Sequence, residues 1–202
     1  MSNVLVFLPQ EFNCYSKIAR KLTRITSFFS NFKLSCPHDP HSLLKQYFAQ
    51  NTNCTDLIIC EEWKNLEYTH VVIFDDGEVF SEEVSFFQKN KIPLRVIPIK
   101  ITRVINIHHH PKFKNIKKSE EYEYIGRGSI WGNPYAMNGA EQESREEVIN
   151  KFKYDFDKDI LMKAKREDVY HLAGKRLGCF CKPHDCHGDI IAHFLNEWDD
   201  GL

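Results

Sequence analysis

Three short stretches decide most of what this chain can fold into: Val4-Leu5-Val6-Phe7-Leu8, Leu57-Ile58-Ile59-Cys60 and Val71-Val72-Ile73-Phe74 are unbroken apolar runs. A strand that alternates apolar and polar residues has one wet face, whereas a continuous run is apolar on both, which suits a parallel sheet covered on each side by helices. Helical patterning fills the gaps between them. Apolar residues recur at Ile18, Ala19, Leu22, Ile25 and Phe29 within Ser16 to Phe29, and at Leu43, Leu44, Tyr47 and Phe48 within Asp39 to Ala49. Ser81 to Asn90 places Val84, Phe86 and Phe87 on a third helix with an expected N-cap at Ser81, and Leu94 to Ile99 reads as a last strand. The order strand, helix, helix, strand, strand, helix, strand predicts an open three-layer α/β sheet over residues 1–106.

None of the apolar runs approaches the roughly 18 residues that cross a bilayer. Met1-Ser2-Asn3 leads straight into the first strand without a basic leader or a small-residue cleavage site, so the expected location is the cytoplasm. Lys+Arg 27 against Asp+Glu 28 leaves a net charge of -1, which removes a whole-molecule basic field as a route to nucleic acid or anionic lipid. Seven cysteines, an odd number in a chain of 202 residues, speak against a disulfide framework. Cys14, Cys36, Cys54 and Cys60 are scattered and read as small packing residues, while Cys179, Cys181 and Cys186 are clustered.

Residues 107–121 follow neither a helical nor a strand period and hold four lysines, which predicts a surface connector before a smaller α/β module over 122–202. The internal run His108-His109-His110 reads as solvated, with zinc or nickel affinity as the alternative. Together with Lys112, Lys114, Lys117 and Lys118 it is the basic stretch where a salt-sensitive contact to a nucleic-acid backbone would fall, diluted by Glu120, Glu121 and Glu123.

The second module opens on Tyr124-Ile125-Gly126-Arg127-Gly128-Ser129-Ile130-Trp131-Gly132-Asn133-Pro134-Tyr135. Glycines such as Gly128 let a backbone expose its N–H groups, and Arg127 and Ser129 hold phosphate or carboxylate through charge-assisted hydrogen bonds, so the loop is a candidate anion site. The alternative is a structural turn anchored by Trp131 and Tyr135 and stopped at Asn133-Pro134. No Walker order of glycines and lysine is present. Ser144-Arg145-Glu146-Glu147 has the form of a capping box, continued by Val148, Phe152 and Phe156. Arg145 then sits in a first helical turn, where the dipole disfavours a cation, so it calls for an anionic ligand or a carboxylate such as Glu141 or Glu143.

Leu177 to Cys181 reads as a strand, which turns Cys179 and Cys181 to one face, and the spacing of Ile190, Ile191, Phe194, Leu195 and Trp198 puts Cys186-His187 at a helix N-terminus. Two chemistries compete for this strand, loop and helix. Cys179, Cys181, Cys186 and either His187 or His184 form a donor set for zinc. Alternatively Cys186 is a thiolate nucleophile at the helix N-terminus, with His187 or His184 as acid or base. A third reading is plain packing of three cysteines at a junction.

Two resemblances bear on these motifs. Val71-Val72-Ile73-Phe74-Asp75-Asp76-Gly77, a helix, and then Ile92-Pro93-Leu94-Arg95-Val96-Ile97 resemble the nucleotide-binding Rossmann-like (SLOG) group that includes the DprA and lonely-guy proteins, although no paired-glycine phosphate loop precedes Asp75. Tyr124 to Asn196 resembles the domain of unknown function DUF4326 in its Gly-Arg-Gly-Ser-Ile-Trp-Gly-Asn-Pro-Tyr loop, its Ser-Arg-Glu-Glu-Val-Ile helix and its closing Cys-Phe-Cys-Lys-Pro-His-Asp-Cys-His-Gly-Asp segment. That resemblance implies that Arg127, Asn133, Arg145, Cys179, Cys181, Cys186, His187 and Asp189 belong to one site, and that the source is a phage or a prokaryote. The expected protein is a degenerate Rossmann-like sheet followed by a smaller α/β domain with a Cys/His strand-loop-helix site. It is expected to bind a nucleotide-like or otherwise phosphorylated ligand through Arg127, Gly128, Ser129, Trp131, Asn133 and Arg145. The rivals are a thiol- or zinc-dependent enzyme acting on a nucleotide or nucleic-acid base through Cys186, His187 and Asp189, and a protein-interaction module with a structural Cys/His site.

Overall fold

The computed structural model describes residues 1–137 and 143–201, so Glu141 lies outside the described residues. The chain forms two compact units, one of residues 1–100 and 197–202 and the other of residues 101–196.

In the first unit β1 (Ser2–Phe7), β2 (Phe32–Cys36), β3 (Cys54–Ile59), β4 (His70–Asp75) and β5 (Leu94–Pro98) form an all-parallel sheet in the order β3-β2-β1-β4-β5. This is the Rossmann-like doubly wound arrangement, with its reversal of strand order between β1 and β4. The apolar runs at Val4 to Phe7 and Val71 to Phe74 are buried, as two-sided coverage requires. Helices α1 (Tyr15–Thr26), α2 (Leu43–Gln50) and α3 (Ser81–Lys89) connect the strands. Asp39 caps α2, its carboxylate accepting from the Leu44 and Lys45 amides at 2.8 and 3.0 Å. Ser81 is the first residue of α3 rather than its cap; Phe80 holds that position without a side-chain cap bond.

In the second unit β6 (Arg103–Asn106), β7 (Tyr122–Tyr124) and β8 (Arg176–Cys179) form a parallel sheet in the order β6-β8-β7, joined by α4 (Arg145–Asp157) and α5 (His187–Glu197). Strand β6 pairs with β8 and so lies in the second unit's sheet. Residues 107–121 also do more than connect: Phe113 is buried and its ring stacks on Tyr122 at 4.2 Å. Ile125, Trp131, Phe152, Phe156, Leu177 and Ile191 lie in one core cluster. The capping box of α4 is complete, Ser144 accepting from the Glu147 amide and Glu147 from the Ser144 amide.

Candidate functional site

Because β8 is the central strand of its sheet, the loop that leaves it stands in the middle of the sheet's carboxyl edge. The strand ends at Cys179, two residues sooner than the sequence suggests, yet the Cys179 and Cys181 sulfurs still meet at 3.3 Å. All seven cysteines are free thiols. Cys179, Cys186 and His187 are buried and each presents a donor atom within 4.8 Å of the others. His187 Nε2 lies 3.0 Å from the Ile125 carbonyl, which only accepts, so Nε2 carries the proton and Nδ1 turns its lone pair to the cysteines, 3.7 Å from Cys186 Sγ. His184 is exposed and stands apart from this group, with its backbone amide donating to the Cys181 carbonyl.

The start of α5 is built around Cys186. Its sulfur accepts from the Gly188 amide at 3.4 Å, and the Asp189 carboxylate accepts from the Cys186 amide at 2.9 Å while pairing with Lys182 at 2.7 Å. Asp189 therefore positions the loop and the helix start. Thiol protons are distributed unequally. Hydrogen bonds from Cys179 and Cys186, with a further one from Arg145, hold the Cys181 thiol down to about 2. Donation to Cys181 raises Cys179, and donation to both other cysteines, with burial, raises Cys186. Desolvation lowers His187 and keeps its imidazole neutral. Cys186, expected as the nucleophile, is buried at 2% exposure, whereas Cys181 is half-buried.

Arg145 reaches across to this loop, its guanidinium donating to the Asp185 carbonyl at 3.2 Å. Glu143, a candidate partner for it, is instead ion-paired with Lys151. Arg127, Arg145, the three clustered cysteines and His187 line one open cleft. The glycine loop contributes less directly than its composition suggests. Ser129 Oγ accepts from the Trp131 amide at 3.2 Å, and Asn133 bonds both the Val148 carbonyl and the Tyr135 amide, so both side chains serve the turn. Trp131 is buried, 5.4 Å from the His171 ring, and Gly128 takes the left-handed conformation at φ +95°. Among the described residues the Arg127 guanidinium has no carboxylate or hydrogen-bond partner. Tyr135 and Asp185 line the same cleft, and sequence reasoning missed both as site residues; the bond from Tyr135 to Asp155 at 2.7 Å has no local sequence signature.

The first unit has its own crevice at the strand carboxyl ends, lined by Phe7, Leu8, Pro37, His38, Glu61, Trp63, Phe80 and Glu83. Its lining contains two carboxylates and neither lysine nor arginine, a poor match for phosphate. The Asp75 and Asp76 carboxylates accept from the Gly77 and Glu78 amides, and Gly77 sits at φ +84°, as a tight turn after a strand requires. No helix among the described residues is long and apolar enough to cross a membrane.

Comparison with known proteins divides the chain at residue 105. Residues 1–105 match the minimal SLOG domain, and residues 105–197 match the domain of unknown function DUF4326. An uncharacterized 12.4 kDa protein in the nrdA-td intergenic region of Enterobacteria phage T4 is 48% identical over 87 residues, which is 41% of this chain and 75% of that protein. No solved structure matches.

Proposed function

Since the chain belongs to the minimal SLOG family and carries a DUF4326 domain behind it, we propose that it binds a nucleotide or another phosphorylated, nucleic-acid-related ligand in the cleft of its second unit. SLOG membership suggests a nucleotide-related ligand, and the phage relative suggests a phage or prokaryotic accessory protein acting in the cytoplasm. One observation carries the reading: two guanidinium groups, Arg127 and Arg145, line a single cleft with the Cys/His cluster, and Arg127 is unpaired among the described residues. Arginine's planar fork suits phosphate oxygens.

The donor set suits zinc. Cys179, Cys186 and His187 present ligand atoms within 4.8 Å of one another, Cys181 Sγ lies outside that group but 3.3 Å from Cys179 Sγ, and the second nitrogen of the imidazole is already held by a backbone carbonyl. Cys179, Cys181, Cys186 and His187 would hold the ion as three thiolates and a neutral imidazole, and the ion when bound would tie strand to helix. Asp189 and Ile125 would orient the ligands.

Titration calorimetry with pyrophosphate, AMP and dTMP tests the reading. At least one probe is expected to bind, and Arg127→Ala and Arg145→Ala are each expected to weaken it about tenfold to a hundredfold, since charged hydrogen bonds are worth about 1.5–3 kcal/mol. Equal binding by the wild type and both variants would reject the cleft as the ligand site. A second reading, an enzyme acting on a nucleotide or base, draws on Cys181 lining the cleft opposite Arg145. It requires turnover that Cys181→Ser abolishes while ligand binding persists.

A further inference from the structure

The carboxyl edge of the second unit's sheet carries a row of rings that phosphate binding leaves unused. Phe180, between two of the cluster cysteines, is 52% exposed. The His108 ring lies 4.9 Å from it on one side and the Tyr124 ring 6.3 Å on the other. His108 follows β6, Phe180 follows β8 and Tyr124 ends β7, so all three strands contribute one ring at their carboxyl ends, where open α/β sheets receive ligands. The loops bearing them are braced. Asn106 donates to the Lys182 carbonyl at 2.5 Å, and Tyr124 Oη donates to the Arg127 carbonyl at 3.4 Å.

Two cations stand near these rings. Lys182, after β8, engages Asp189. Among the described residues Arg127 and Lys117 are left without a carboxylate; the Arg127 carbonyl accepts from Tyr124 Oη and the Lys117 carbonyl from the Tyr124 amide. Exposed rings beside cations that lack a carboxylate among the described residues, next to an arginine-lined cleft, form the combination that binds nucleic-acid strands without reading sequence, because every base has a face to stack and every nucleotide a phosphate to pair. A duplex hides those faces.

We propose that Phe180, flanked by His108 and Tyr124, is a stacking platform for single-stranded nucleic acid, one phosphate of which lies against Arg127 in the cleft. This rests on the phosphate reading of the cleft and goes beyond it by naming a polymer as the ligand.

Fluorescence anisotropy with labelled 12-residue oligothymidylate and oligouridylate, a 12-base-pair duplex and free dTMP as competitor provides the test. The single strands are expected to bind more tightly than dTMP or the duplex, and which of the two wins identifies DNA or RNA as the preferred source. Phe180→Ala is expected to weaken single-strand binding about 5- to 150-fold, the range for loss of one stacked base. Phe180→Trp is expected to restore it. Zinc content, melting temperature and pyrophosphate affinity are expected to stay at wild-type values, because the Phe180 ring is half exposed and outside the cleft lining. Wild-type single-strand affinity in Phe180→Ala, or duplex bound as tightly as single strand, overturns the platform. If dTMP binds and the 12-mers bind no better, the platform alone fails; if neither binds, the phosphate reading fails with it.

Discussion

Tyr122 is the residue on which the second sheet is most tightly packed. It is fully buried, stacked on Phe113, and its ring fills the space where Gly178 lacks a side chain. A Cβ at Gly178 would overlap that ring, so Gly178→Ala is expected to cost about 1–3 kcal/mol by denaturant unfolding. The Tyr122 hydroxyl is buried without a partner, and burial pushes it up to about 12. Removing such a group is expected to be neutral or stabilising, so Tyr122→Phe should not lower the melting temperature. The sign of its pH dependence is fixed as well. A folded-state value above the unfolded one means the folded chain holds this proton longer, so stability is full below about pH 10 and falls as the pH rises toward 12. Tyr122→Phe is expected to show a shallower loss over that window in pH-dependent melting. The sequence points to His187, with His184 as its alternative at the same loop. The Ile125 carbonyl separates them, and it lies 62 residues away in the chain, which local spacing cannot report.

At the scale of elements, helix α4 was the most legible. Its cap and its stripe of Val148, Phe152 and Phe156 are local signals, and all three side chains are buried. Ser144→Ala is expected to cost about 1 kcal/mol, and because the helix carries Arg145 into the cleft, the variant should also weaken phosphate-probe binding; Ser144→Asp should restore both. The strands were legible where their runs are continuous and hidden where they are not. Phe32-Lys33-Leu34-Ser35-Cys36 interrupts its apolar residues with Lys33 and Ser35, yet Ser35 is fully buried because its hydroxyl donates to the Asn3 side chain. Strands β6 and β7 span four and three residues, too short for a period to register. Cys179 and Cys181 were rightly placed together although the strand ends between them, since the turn after Cys179 brings the sulfurs into contact.

At the scale of the whole molecule, the last residues return to the first unit, where the buried Lys17 ammonium meets Asp200 at 2.7 Å. Asp200→Asn leaves a charge buried against a neutral group and is expected to cost about 3 kcal/mol, with Lys17→Met in the same chain recovering most of it in urea melts. That loss belongs to the first unit, whereas metal removal belongs to the second, so the two perturbations are expected to shift different unfolding transitions. The doubly wound order of the first sheet was implied by its apolar runs, but the absence of cations from its crevice lining became visible only once the loops were placed. The proposal to test first is that Cys181 joins the Cys179, Cys186 and His187 group in holding one zinc ion beside two arginines. It is tested most directly by elemental mass spectrometry and thiol titration on the same untagged sample, purified without chelator. The expected result is about one zinc per chain, with the three clustered thiols unreactive until a chelator is added and the melting temperature falling as the metal leaves. Metal-free protein whose clustered thiols all react at once, with no change in melting on adding chelator, would contradict it.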